Sequence, residues 1–260
     1  MITSPNPHIL VSQDDRILRV QFNRPERKNA LSLAMYATLA DILQAVNNDR
    51  GVRVLVLSGG NECFTSGNDL QDFMNEPDIS DSHPVVRFMV ALRNCLKPVV
   101  AVVQGHAVGI GTTLLLHCDL AYAAQDARLQ LPFVNLGLCP EYASSYLVPR
   151  LVGEQKAAEL LLLGEPFTGA DAEKMGFVNA AVPASELMAY AETRIQSLAG
   201  QPPAAVRRTK SLLKKTQQQG IETAIAAEFI GFAEGLNSNE FKESVTAFFE
   251  KRLPDFSHFE

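Results

Sequence analysis

The strongest constraint on this chain is a set of short apolar runs punctuated by turn residues. Residues 52–57 read VRVLVL, residues 99–103 read VVAVV, and residues 119–124 read DLAYAA. Each is too short for a stable helix and too apolar for a strand with one face in water. Each is therefore expected to be a strand inside a covered sheet. Between them the apolar spacing lengthens to that of a helix. Residues 33–47 carry Leu39, Ile42, Leu43 and Val46 on one face, with Asn29 or Ser32 as the cap, and residues 85–96 form a second helix stopped by Pro98. Two further β-like runs open the chain at 9–11 and 17–22, and residues 112–118 read as an apolar helix after a glycine-rich stretch. Strands alternating with helices give an α/β domain with largely buried sheets.

From about residue 155 helical spacing dominates through Lys251. It is broken at Gly164-Glu165-Pro166 and at Gly200-Gln201-Pro202-Pro203, with one short strand at 178–182. The expected organisation is a core over residues 1–199 and a helical region over residues 200–260. A chain of 260 residues, 47% hydrophobic, can bury such a core without disulfides or metals. Its net charge of -6 and the lack of a basic block argue against nucleic-acid binding.

No apolar run is long enough to span a bilayer. The opening MITSPNPHIL lacks the order of a signal peptide, and His258-Phe259-Glu260 is not the peroxisomal tripeptide, so a cytoplasmic location is expected. Cys63, Cys95, Cys118 and Cys139 have no CxxC spacing, and no two histidines form an HxxxH pair. The expectation is four buried reduced thiols and no metal. His106 and His117 flank the glycine-rich stretch without a carboxylate partner in sequence.

Two glycine turns stand out, each following a buried strand: 64–70, FTSGNDL, and 105–111, GHAVGIG. Neither has the spacing of a dinucleotide or P-loop fingerprint. One reading is tight strand-to-helix packing and an ordinary turn capped by Asn68 and Asp69. The other is that glycine lets a ligand approach main-chain N–H groups at a helix N-terminus, where two converging donors can hold a developing oxyanion.

Several strings, in order along the chain, resemble one family. They are 23–31 (NRPERKNAL), 64–70 (FTSGNDL), 97–105 (KPVVAVVQG), the loop Gly109-Ile110-Gly111, 118–121 (CDLA) and 248–252 (FFEKR). Together they are similar to the crotonase superfamily, also called the enoyl-CoA hydratase/isomerase family. The resemblance implies a spiral of ββα turns with a helical C-terminal trimerisation region. It implies an acyl-CoA thioester as substrate, with CoA as carrier and no further cofactor, and a homotrimer or dimer of trimers. It places an oxyanion hole at the backbone N–H groups of Asn68 and Ile110. Substrate or CoA contacts are implied at Arg27, Lys28, Ala30, Ser66, Gly67, Asp69, Leu70, Gly109, Gly111, Phe133, Leu136 and Lys251, with Arg24 and Arg252 nearby. Apolar faces at Ile221, Ile225, Phe229 and Phe232 are expected to support the assembly.

Hydratases of this family carry two glutamates that position water. The matching positions here hold Thr113 and Phe133, which cannot do that acid/base work. A carboxylate appears instead at Pro140-Glu141, as in the peroxisomal type of Δ3,Δ2-enoyl-CoA isomerase. Taken alone, Glu141 reads as an acid that complements a helix dipole. Within the family pattern it becomes the catalytic acid/base, shifting a 3-enoyl-CoA double bond to the 2-trans position. Leu131, Phe133, Leu136 and Leu138 are expected to desolvate it. The alternatives are a cyclic or epoxide acyl-CoA isomerase, a weak hydratase, or a non-catalytic binding subunit.

Overall fold

The computed structural model describes residues 2–75, 80 and 82–259. The elements run in the order β1 (Ile9–Asp14), β2 (Ile17–Phe22), α1 (Leu33–Asn48), β3 (Val54–Ser58), β4 (Cys63–Thr65), α2 (Leu70–Asn75), α3 (Pro84–Arg93), β5 (Val99–Val103), β6 (His106–Val108), α4 (Ile110–Thr113), β7 (Leu120–Ala124) and β8 (Arg128–Gln130). There follow α5 (Ser144–Val152), α6 (Glu154–Leu163), β9 (Phe167–Thr168), α7 (Gly169–Met175), β10 (Ala180–Val182), α8 (Ala184–Gly200), α9 (Pro203–Lys215), α10 (Gln218–Leu236) and α11 (Asn239–Glu250).

The strands form two sheets, ordered β1-β2-β3-β5-β7-β10 and β4-β6-β8-β9. Pairing is parallel except for β1 with β2 and β8 with β9. Three times the chain lays a strand in the large sheet and then turns at once into the small one, as β3–β4, β5–β6 and β7–β8. Each pass is one coil of a spiral, and helices cover the large sheet, α8 packing across β3, β5, β7 and β10. The apolar runs are the buried centre: all of β5 is inaccessible to water, as are Val54, Leu55, Val56 and Leu57 of β3. This is the crotonase fold, an α/β spiral with a helical C-terminal region.

Several boundaries differ from expectation. The first strand runs on to Asp14 because it hairpins with β2 over six residue pairs. Ser32 caps α1, accepting from the Met35 N–H at 3.3 Å, while the Asn29 amide donates to the Cys63 and Phe64 carbonyls. The expected helix over 112–118 splits into α4 and a 3-10 turn, Leu114–His117, whose tighter winding fits a short link between sheets. Asp119 lies outside β7; its carboxylate accepts from the Val99 N–H and from Lys210 of α9, at 2.7 and 2.6 Å, tying α9 to the core. Helical structure begins at Ser144, earlier than the apolar spacing indicated. Of the cysteines, Cys63 and Cys95 are buried and Cys118 and Cys139 half-buried; all four are free thiols.

Candidate active site

The site begins with the register of the small sheet. β4 and β6 lie side by side in parallel, with Cys63 opposite His106 and Thr65 opposite Ala107. The loops that leave them, Ser66–Asp69 and Gly109–Gly111, therefore emerge together at the same end. They touch so closely that side chains are excluded. A Cβ on Gly67 would stand 2.8 Å from the Val108 carbonyl oxygen, and one on Gly111 would stand 2.7 Å from Cγ2 of Thr65. Gly67 also has a φ of +95°, open to glycine and to few other residues. The tight-packing reading of the glycine turns holds. Among the described residues, the N–H groups of Asn68 and of Ile110, the first residue of α4, have no acceptor within the protein.

The segment 27–31 is zipped onto the first loop: Ser66 N–H donates to Lys28, Leu31 N–H to Gly67 and Asp69 N–H to Leu31. Arg24 locks this junction, donating to the Asp69 carboxylate at 2.7 Å and to the Ala30 carbonyl at 3.0 Å. Arg27 and Lys28 are exposed beside it. Asp69, nearly buried and held by Arg24, is a clamp between the two segments. Tyr36 of α1 donates to the Asn68 side-chain oxygen and fixes that loop from below.

Asn68 and Glu141 line the same cavity, of about 410 Å³. Its walls are Val85, Val86, Met89 and Val90 of α3 and Ile225, Phe229 and Phe232 of α10. Arg93 and Glu222 also line it, as an ion pair at 3.5 Å. Leu131, Phe133, Leu136 and Leu138 are not among the residues that line this cavity; the turn at 134–136 packs on α11, with Ser244 donating to the Asn135 carbonyl. Phe229 and Phe232 likewise belong to the cavity, Phe232 being buried within the chain. Phe229 is nonetheless 40% exposed, and it joins Leu212, Leu213, Ile230, Phe248, Phe249, Leu253 and Phe256 as exposed apolar side chains of the C-terminal helices and tail. Lys251 is exposed at the end of α11, away from the cavity wall, and Arg252 is engaged by Glu243 and Glu250 at 2.5 and 2.7 Å.

Glu141 stands on a turn in which Tyr142 and Ala143 both have positive φ, 57° and 59°. That conformation costs roughly 1–2 kcal/mol per non-glycine residue, so the turn must be held from outside. Tyr142 donates to the Met89 carbonyl at 2.6 Å and its own carbonyl accepts from His117 Nε2 at 2.7 Å, the two rings stacked at 3.6 Å. Burial pushes His117 down to about 3, so it is a neutral donor here and no proton carrier. Thr113 donates to Glu141 Oε1 at 2.5 Å. Burial raises Glu141 to about 8, against the lowering effect of the Thr113 hydroxyl and with a smaller push from the charge of Glu228. The result is a carboxyl that exchanges a proton near neutrality, in a largely apolar chamber that Asn68 also lines.

Sequence reasoning missed three parts of this arrangement: Tyr36, the His117–Tyr142 anchor, and Glu228. The signal for Glu228 was present, an acid within the apolar run Ala226-Ala227-Glu228-Phe229-Ile230. Thr113, at a position where a hydratase of the resembled family carries a glutamate, is the hydrogen-bond partner of Glu141.

A family model described as enoyl-CoA hydratase/isomerase matches residues 12–258. The chain belongs to the enoyl-CoA hydratase/isomerase family. Within that family it is 33% identical to mouse peroxisomal enoyl-CoA delta isomerase 3 over 92% of this chain and 77% of the relative. It is 31% identical to the 2,3-dehydroadipyl-CoA hydratase of Escherichia coli K12, over 95% and 98% respectively. The solved structure of Pseudomonas aeruginosa OdaA superposes with a TM-score of 0.91 at 43% identity, covering 94% of this chain and 99% of that one. Family membership makes an acyl-CoA thioester the substrate and makes this an enzyme of the hydratase/isomerase type. Similarity of this degree runs to isomerases and hydratases alike, so the reaction has to be argued from the side chains of the cavity.

Proposed function

We propose that this enzyme is an acyl-CoA isomerase that moves the double bond of a 3-enoyl-CoA into conjugation, giving the 2-trans-enoyl-CoA. The observation that carries this reading is the pairing of Glu141 with Thr113. Where a hydratase of the family has a second carboxylate to orient water, this chain has a hydroxyl that serves Glu141. The other two acids on the cavity wall are already engaged, Glu222 by Arg93 and Glu228 by the N-terminus of α5. A single carboxylate is enough for double-bond migration, which needs a proton shuttle and no water.

The thioester oxygen is received by the amides of Asn68 and Ile110. Glu141 takes a proton from the α carbon; the C–H electrons form the new double bond of a dienolate, whose negative charge collects on the thioester oxygen. Two fixed donors stabilise that charge, and losing one such donor typically raises the barrier by about 3 kcal/mol. Protonated Glu141 then returns the proton to the γ carbon, the oxyanion collapses, and the carboxylate is regenerated. Apolar walls suit this step: they hold an acyl chain and keep out the water that would add to the product. CoA is a carrier here, contacted by the loop bearing Arg27 and Lys28. The exposed apolar surface of α9, α10, α11 and the following tail is proposed to close a trimer or a dimer of trimers.

The deciding experiment compares 3-enoyl-CoA isomerisation with 2-trans-enoyl-CoA hydration on one preparation, for the native chain and for Glu141→Gln. Isomerisation that dominates and vanishes in the variant supports the reading. Hydration of comparable rate, or a variant that still isomerises, refutes it.

A further inference from the structure

We propose that Glu228 is a positioning residue for the isomerase reaction: from α10 it holds the turn that carries Glu141 and sets the charge against which Glu141 exchanges its proton. The inference rests on the proposed role of Glu141 and deepens it.

The geometry starts at an anomaly in α5. A helix leaves its first N–H groups without partners, and a Ser, Thr, Asp or Asn normally supplies one from the N-cap. The N-cap of α5 is Ala143, in the left-handed conformation, which offers no side-chain acceptor. The acceptor comes instead from Glu228, far along the chain. Its Oε2 accepts from the Ala143 N–H at 2.6 Å, and its Oε1 accepts from the Ser145 N–H at 2.8 Å and the Ser145 hydroxyl at 2.5 Å. Three donors converge on one carboxylate that is 7% exposed. Ala143 is the second of the two residues with positive φ, so Glu228 grips the turn at its strained end, two residues from Glu141.

This grip also brings a second acid to the wall of the cavity that Glu141 lines. Burial raises Glu228 above the ordinary carboxylate range, and the hydrogen bonds from Ser145 and Ala143 pull it back down. The other titratable groups around the pair do not replace it. Arg93 of α3 is taken by Glu222. His117 is neutral, Tyr36 and Tyr142 are held protonated by burial, and burial also raises the Cys139 thiol. Glu228 is thus the neighbouring acid whose charge acts on Glu141 from the same cavity wall. A negative neighbour favours the protonated form of Glu141, and so strengthens it as a base.

The test is kcat and KM against pH for the native chain, Glu228→Gln and Glu228→Asp, with Glu141→Gln as control. In Glu228→Gln the charge is gone and one of the converging donors loses its acceptor. The plateau kcat is expected to fall about tenfold with KM changed far less, and the acid limb of the kcat profile to move down by about one pH unit. Glu228→Asp keeps the charge on a shorter arm, so kcat falls while the limb stays. A Glu228→Gln profile with its limb where the native one lies overturns the proposal, since a merely structural cap would lower kcat without moving the limb. Should that variant fail to fold, Glu228→Asp decides, and an undiminished kcat overturns the proposal. Turnover surviving in Glu141→Gln would instead sink the proposed function itself, a result read independently of either Glu228 variant.

Discussion

The hydroxyl of Thr113 donates to Oε1 of Glu141 at 2.5 Å, with Thr113 itself inaccessible to water. One hydrogen bond therefore links the C-terminal end of α4 to the turn before α5. It favours the ionised carboxylate and partly offsets burial. Replacing Thr113 with Val keeps the shape and removes the donor. Glu141 then moves further above about 8, so the acid limb of the kcat profile shifts to higher pH by up to about one unit. At neutral pH the turnover falls severalfold. A Thr113→Val profile that coincides with the native one would show the bond to be energetically idle.

Glu141→Gln is expected to lower kcat by about two to four powers of ten. Affinity for a CoA ester, measured by calorimetry on the same preparation, should change little, since the amides of Asn68 and Ile110 and the loop at 27–31 are untouched. Loss of binding together with turnover would point to a damaged fold.

The same substitution has a stability consequence. Glu141 is raised in the folded state from 4.5 to about 8. Below about pH 4.5 it is protonated folded or unfolded, and the folded state loses nothing. Between those values the folded chain holds a proton that the unfolded chain releases, so stability declines as pH rises towards 8. Above 8 the full cost of a buried charge is present. Melting curves should therefore show Glu141→Gln more stable than the native chain at about pH 9, with the gap closing by about pH 5. A gap independent of pH would contradict the raised proton affinity.

Hydration of crotonyl-CoA should be slow beside isomerisation of 3-cis- or 3-trans-enoyl-CoA. Thr113 is committed to Glu141, and Phe133, 5% exposed, lies outside the cavity wall. Equal rates would mean that water is oriented by Glu141 and Glu228 together, and the double-bond shift would lose its standing as the main reaction.

Light scattering should give three or six times the chain mass at micromolar concentration. Leu212, Leu213, Phe248, Phe249 and Leu253 are each about half exposed or more, a density of apolar surface that calls for a partner. A monomer at that concentration would refute the assembly.

Much of this molecule could be read from its residues, and the limits of that reading are physical. The runs that became β3, β5 and β7 were legible because strands covered on both faces leave an uninterrupted apolar signature. Glu141 was legible through the family pattern. The start of α5 was not, because its cap comes from α10 and Ala143 offers no local sign of it. The apolar spacing of α10 was visible at Ile225, Phe229 and Phe232, but periodicity says only that a face seeks cover. Here the face looks into the cavity, though Phe229 also reaches solvent, and further bare apolar surface lies on α9, α11 and the tail.

The loops after β4 and β6 offer main-chain N–H groups, and no replacement at Asn68 or Ile110 other than proline can delete them. Their geometry depends on glycine at neighbouring positions, but their chemistry is inherited with the backbone. The proton carrier is different: it is one side chain on a turn strained in itself and held by distant partners. Drift in such a scaffold leaves the means of stabilising an enolate in place and reassigns what is done with it. A handful of substitutions around residues 113, 141 and 228 would be the natural route from this reaction to another, and the natural place to begin redesigning it.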